Sequence, residues 1–186
     1  MSLESLLALL AGVLREAEVP YMLTGSLAAS YHGAPRATQD IDLVVDATTD
    51  ELVKVAATLR ESDLYVSDDA IREAVSSQGM FNAIDPGSGW KIDFIVRKDR
   101  PFSIREFDNR SEIQFLGLSL SIAQAEDVIL AKLEWAKLGD SERQLRDAAE
   151  IAAVQGPALD TIRVERWAEE LGVWPQWLRV LELNDG

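Results

Sequence analysis

The sequence predicts an α+β fold: a mixed sheet flanked by helices, followed by a helical C-terminal segment. Three observations carry this. Strand and helix patterns alternate up to about residue 120, two apolar segments in the middle are joined by a strong turn, and from Ala123 onward the pattern is helical alone. A boundary is therefore expected near residue 120, dividing 1–120 from 121–186. At 186 residues, with 47% apolar and 27% charged content, the chain is long enough to bury a sizeable core as one domain with a small helical addition.

Leu3, Leu6, Leu7, Leu10, Leu14 and Ala17 recur at helical spacing, so residues 2–17 are expected to form an amphipathic helix with Ser2 as N-cap. Pro20 ends the connection, and a strand is expected at 21–24. Gly25-Ser26 reads as a tight turn before a short helix ended by Gly33. After a loop through Pro35, a second strand opens with Asp40-Ile41-Asp42 and runs to Val45. Thr48 and Glu51 form a capping-box pattern that starts a helix to about Glu61. Residues 64–66 fit a short strand, and 67–77 a polar helix or ordered loop. Segments 80–84 and 90–96 flank Asp85-Pro86-Gly87-Ser88-Gly89 and predict a hairpin. A short helix at 101–107 and strands at 112–115 and 118–121 complete the mixed part. Helices follow at 123–138, 141–155, 161–171 and 175–183, punctuated by Gly139, Gly156-Pro157 and Gly172.

The stretch from Tyr21 to Val45 holds the first chemical signal. Successive side chains of a strand point to opposite faces, so Asp40 and Asp42 share a face with their backbones about 7 Å apart. Magnesium takes oxygen ligands and is usually held by one or two carboxylates together with substrate phosphates. Glycine at Gly25 permits close backbone approach, and a helix starting beside Ser26 offers free N–H groups to an anion. The bland alternative is a solvated strand end in a chain with 32 acidic residues.

Composition removes several classes. There is no cysteine, which excludes disulfides and thiolate metal sites. The apolar run 6–14 is too short to span a bilayer and lacks the flanks of a signal peptide, so a cytoplasmic protein with no membrane partner is expected. Net charge is −14, which opposes broad nucleic-acid binding. The densest basic stretch, 97–110, is the candidate for a local RNA-binding patch, but it is diluted by Asp99, Glu106 and Asp108 and reads first as a solvated loop. His32, the only histidine, closes a short helix and reads as structural.

Gly25-Ser26 after a hydrophobic strand, then Arg36 and Thr38, then Asp40-Ile41-Asp42-Leu43-Val44-Val45, resembles the nucleotidyltransferase superfamily typified by DNA polymerase beta. Within it the likeness is nearest to small prokaryotic proteins of the AbiEii type, several of which are toxins of toxin–antitoxin pairs. The resemblance implies a third carboxylate on a later strand, for which Asp93 is the candidate. By alternation with Lys91, Asp93 also fits the exposed half of an amphipathic edge. Downstream, Glu126-Asp127 followed by Lys132, and Arg143 with Arg146, Asp147 and Glu150, is similar to that family's helical motifs. Arg146 stands where lysine is usual and Glu150 where a second aspartate is usual. From spacing alone, Lys132 fits equally a lysine that snorkels to water, and Arg143 with Asp147 an exposed i, i+4 pair.

The resemblance makes 1–120 a catalytic core and 121–186 a helical segment completing the site. It implies two Mg2+ ions, with Mn2+ as a substitute, between Asp40, Asp42 and Asp93. Gly25, Ser26, Arg36 and Lys132 would bind the triphosphate, and Asp147 would lie near the reacting centre. Asp93 is the candidate to orient or deprotonate the acceptor hydroxyl. The expected reaction moves a nucleoside monophosphate from a nucleoside triphosphate to a hydroxyl of tRNA, protein or a small molecule, with an antitoxin as a further partner. The alternatives are a non-catalytic nucleotide-binding or antitoxin-like protein of the same fold, and a small-molecule nucleotidyltransferase of the antibiotic-modifying sort. Trp167, Trp174 and Trp177 read as packing residues, with partner binding left open.

Overall fold

The computed structural model of the protein describes residues 1–185. Its leucine-rich start forms α1 (Leu3–Glu16), capped by Ser2, whose Oγ accepts the Ser5 N–H at 3.2 Å. In chain order there follow β1 (Tyr21–Thr24), α2 (Gly25–His32), β2 (Asp40–Val45), α3 (Thr49–Glu61), β3 (Tyr65–Val66) and α4 (Asp68–Ser77). The hairpin is β4 (Met80–Ile84) and β5 (Lys91–Val96), followed by α5 (Pro101–Asp108), β6 (Ser111–Phe115) and β7 (Leu118–Ile122). Then come α6 (Ala125–Gly139), α7 (Glu142–Gln155), a 3-10 turn at Gly156–Ala158, α8 (Thr161–Glu170) and α9 (Trp174–Asp185). The α+β class is therefore as predicted. Gly25-Ser26 differs from expectation, since no separate turn precedes α2. Gly25, at φ +61°, is itself the first helical residue, a left-handed value that glycine takes without a steric penalty.

The chain divides into two compact units, Met1–Thr24 with Thr38–Ile122, and Gly25–Ala37 with the chain from Ala123 onward. The first contains the whole seven-stranded mixed sheet, in the order β3-β4-β5-β2-β1-β7-β6. One face buries Ile41, Leu43 and Val45 of β2, Ile92, Phe94 and Val96 of β5, and Phe81 and Ala83 of β4. The Phe81 and Phe94 rings stack at 4.9 Å. Helix α4 packs on β4 and β5, α3 on α4 and β3, and α1 on α3 and β7. The capping box is formed, with the Thr48 N–H donating to Glu51 at 2.8 Å. Leu116 and Gly117 both take positive φ, the two-residue turn that matches the twist of the β6–β7 hairpin.

Asp85 holds the β4–β5 turn together. One oxygen accepts the Gly87 N–H at 2.9 Å, and the other pairs with the terminal ammonium of Met1 at 2.7 Å and accepts from the Ser88 hydroxyl. The bond from the ammonium, with that from Ser88, holds its carboxyl well below the usual carboxylate range. A depressed folded-state pKa gives stability that is present above the unfolded value, near pH 4, and is lost as pH falls below it. Asp85→Asn is expected to lower the thermal midpoint at pH 7, and the gap from the parent should narrow as the pH is taken from 5 towards 2.

The second unit is helical. Helix α6 packs against α2, α7, α8 and α9, and α7 also packs against α2 and α9. Trp177 and Val180 of α9 and Trp167 of α8 are buried, so two of the three C-terminal tryptophans, Trp167, Trp174 and Trp177, pack inside. Helix α2 ends where Gly33 takes φ +124° and the Ala34 N–H bonds back to the Ala29 carbonyl at 2.8 Å. A Cβ on Gly33 would lie 2.5 Å from the Cβ of Val154 on α7. Gly33→Ala is therefore expected to cost about 2 kcal/mol, a fall in thermal midpoint of roughly 4–8 °C. Among the described residues no helix is long and apolar enough to cross a membrane.

Candidate functional site

The first group of predicted residues lies in the sheet unit. Entry to β2 is fixed by Thr38, whose hydroxyl accepts the Asp40 N–H at 3.1 Å. Strands β2 and β5 are parallel neighbours with Asp42 opposite Asp93, so these aspartates sit one strand spacing, about 4.8 Å, apart at their backbones. On the outer sides Thr24 of β1 faces Asp42, and Asn82 of β4 faces Asp93. A polar row, Thr24-Asp42-Asp93-Asn82, thus crosses four strands, with Asp40 two residues from Asp42 on the same face. Asp40 is exposed, Asp42 half-buried and Asp93 only 5% exposed.

Asp93 is not on an exposed edge. Its strand is internal, and both its carboxylate oxygens are engaged: Asn82 Nδ2 donates to Oδ1, and Lys91 Nζ lies 2.9 Å from Oδ2. Lys91 Nζ also lies 3.5 Å from Asp40 Oδ1. The hydrogen bond to Asp93, reinforced by the charges of Asp93 and Asp40, holds the Lys91 ammonium above the ordinary lysine range. Among the described residues, no three His, Cys, Asp or Glu side chains are drawn together closely enough to hold a metal ion as they stand. The donor chemistry nonetheless fits a hard divalent cation: the set is all oxygen, and two of its members already share a cation, the lysine ammonium.

The second group lies in the helical unit. Ser26, in the first turn of α2, is 6% exposed and accepts a hydrogen bond from Arg36 Nη2. Arg36 Nε donates to Asp147 Oδ2 at 3.2 Å. The same oxygen accepts from Lys132 Nζ at 2.7 Å, and Lys132 also donates to Gln144 Oε1 at 3.1 Å. Lys132 is 4% and Asp147 6% exposed. The snorkelling reading of Lys132 therefore fails, because its ammonium ends on a buried carboxylate rather than in water. The exposed Arg143–Asp147 reading fails with it: Arg143 is exposed and Asp147 turns inward to two other cations. Arg146 and Glu150 are exposed. Asp127, 1% exposed, is bound through both oxygens by Arg163 of α8, which anchors the start of α6.

His32 is structural, as its position predicted. Its Nε2 lies 2.7 Å from the Ala123 carbonyl, which can only accept, so the ring carries its proton on Nε2. Burial lowers its pKa and keeps it neutral near pH 7. Gln155 donates to the His32 carbonyl at 2.9 Å, so the end of α2 is held twice.

The sheet group thus contains Asp40, Asp42 and Asp93, and the helical group Gly25, Ser26, Arg36, Lys132 and Asp147. Two members went unread in the sequence. Asn82 becomes visible only once the register places it opposite Asp93, although the hairpin's turn sequence bounds that register. Lys91, two residues before Asp93, looks in the sequence like a mere alternation partner.

No protein-family model matches the chain, and no curated protein sequence matches it. Solved structures do. The antibiotic-resistance factor ANT(2'')-Ia, in complex with adenylyl-2''-tobramycin, aligns with a TM-score of 0.62 at 14% identity, covering 90% of this chain and 95% of its own. An antigenic nucleotidyltransferase-like protein from Paracoccidioides brasiliensis aligns at 0.54 and 16% identity, covering 96% and 91%. The lincosamide antibiotic adenylyltransferase LnuA, lincomycin-bound, aligns at 0.53 and 13% identity, covering 83% and 98%. At these identities the likeness is one of fold: the chain has the nucleotidyltransferase fold.

Proposed function

We propose that the protein transfers a nucleoside monophosphate from a nucleoside triphosphate to an acceptor hydroxyl, with divalent cations held by Asp40, Asp42 and Asp93. The observation that carries this reading is the in-register pairing of Asp42 with Asp93, with Asp40 on the same face, on a chain of nucleotidyltransferase fold. Mg2+, or Mn2+ in its place, would supply there the Lewis acidity that activates a hydroxyl and neutralises a departing pyrophosphate. The chain's own groups orient the reactants. Asn82 fixes the rotation of the Asp93 carboxylate, and the other oxygen, which Lys91 engages, is the one that would meet a cation or an acceptor proton. Ser26, the N–H groups at the start of α2, Arg36 and Lys132 are the triphosphate ligands, and Asp147 acts as the counter-ion that aligns the two cationic side chains.

A small-molecule acceptor is favoured. The net charge of −14 opposes a large RNA footprint, and two structural neighbours, ANT(2'')-Ia and LnuA, are named for antibiotic resistance or antibiotic adenylylation. A second reading, a toxin that modifies tRNA and is restrained by an antitoxin, is favoured by Lys132 and Asp147 at the AbiEii-like positions. The test is incubation with Mg2+ and each α-labelled nucleoside triphosphate, with aminoglycosides and lincosamides, total tRNA or a protein lysate as acceptors. Label on a small molecule supports the favoured reading, and label on tRNA supports the toxin reading. Nucleotide binding without label on any pool supports the non-catalytic alternative.

A further inference from the structure

Lys91 opens β5 at the position opposite Asp40, two residues before Asp93 on the same face. Its ammonium is within ion-pair distance of both aspartates, 2.9 Å from Asp93 Oδ2 and 3.5 Å from Asp40 Oδ1. The opposite oxygen of Asp93 already accepts from Asn82, so with the lysine in place both oxygens of that carboxylate carry a donor. A lysine ammonium satisfies such oxygens at hydrogen-bond distance, whereas Mg2+ requires them at about 2.0–2.1 Å in near-octahedral geometry. A divalent ion on Asp93 Oδ2 beside the ammonium would face like charge across a few ångströms, which sets the two in competition for that carboxylate.

Resting on the metal-dependent reading of the carboxylates, we propose that Lys91 is the resident counter-ion of this site, and that a divalent cation loads only by displacing its ammonium from Asp93 and Asp40. The lysine is built for release. Its side chain is 41% exposed, and its four-carbon stem is flexible, so the ammonium can swing into water without opening the core. While in place it offsets repulsion between Asp93 and Asp40 and keeps the pair closed to adventitious cations. Once released, its best new partner is another anion. A triphosphate that arrives carrying its metal supplies both halves of the exchange: the cation for the carboxylates and a phosphate for the ammonium. The free protein is thus a weak metal binder, and nucleotide and metal bind together.

The experiment is Mn2+ binding to the nucleotide-free protein, read by the loss of the free-Mn2+ electron paramagnetic resonance signal, which needs no turnover. The unmodified protein is compared with Lys91→Met, Lys91→Arg and Asp42→Asn. Lys91→Met keeps the stem and removes the charge, so Mn2+ should bind about fivefold more tightly or better, while Lys91→Arg should stay near the parent value. Adding a non-hydrolysable nucleoside triphosphate should tighten Mn2+ binding by a larger factor in the parent than in Lys91→Met. Equal or weaker Mn2+ binding by Lys91→Met, with binding still lost in Asp42→Asn, would overturn the counter-ion role and leave the carboxylate site standing. Absence of Mn2+ binding in every protein, with or without nucleotide, would overturn both.

Discussion

Asp42→Asn is expected to reduce nucleotidyl transfer by about a thousandfold or more with the fold intact. In the proposed scheme a metal ion at the reacting phosphate contributes several kcal/mol of charge stabilisation in the transition state, and the amide would remove one of its anionic ligands while keeping the side chain's shape. Stability should move the other way. Asp42 faces Asp93 across adjacent strands, and like charges directly opposite each other are destabilising, so the neutral amide leaves the thermal midpoint unchanged or raises it. Activity and thermal midpoint measured on the same preparation check this. Loss of activity together with a large fall in midpoint would mean that Asp42 holds the sheet rather than the chemistry. Retained activity would remove the cation scheme.

Lys132→Ala carries the second large effect, on binding and stability together. Its ammonium is buried against Asp147, and removing one member of a buried pair leaves an uncompensated charge, typically at a cost of 3–5 kcal/mol. Asp147 keeps Arg36 as a partner, so about 2–4 kcal/mol is expected here. Triphosphate affinity should fall by about tenfold or more, because charge-assisted bonds to phosphate are among the stronger polar contacts. Lys132→Met combined with Asp147→Asn separates the effects. It removes the stranded charge, so it should recover part of the stability and none of the affinity in a fluorescent-nucleotide titration. An unchanged affinity in Lys132→Ala would make the lysine a purely structural ion pair.

What could be read from the sequence follows the range of the interactions concerned. The Ser2 and Thr48 caps, the leucine face of α1 and the β4–β5 turn are local, and each forms where the sequence puts it. The alternation that sets Asp40 and Asp42 on one face is local too. The ambiguities were long-range. Whether Asp93 lay on an edge or inside the sheet depended on β5 pairing with β2, about fifty residues away, instead of only with its hairpin partner. The alternatives for Lys132 were separated by Asp147, fifteen residues on, and the charges around Asp147 by Arg36, more than a hundred residues back. Helix α2 packs with helices beyond residue 123, a contact fixed by His32 and Ala123 that no local pattern announces. Lys91 escaped notice for a different reason: an alternating charge beside an aspartate is ordinary in a strand, and only the distances to Asp40 and Asp93 separate a site residue from a solvated one.

The most direct test of metal-dependent transfer is the release of pyrophosphate from a nucleoside triphosphate in the presence of mixed hydroxyl acceptors. It is followed with Mg2+, with the cation chelated, and with Asp42→Asn. Release that requires both Mg2+ and Asp42, in step with label appearing on an acceptor, is the predicted result. Release that persists under chelation or in Asp42→Asn, or nucleotide binding with no release under any condition, would contradict the account.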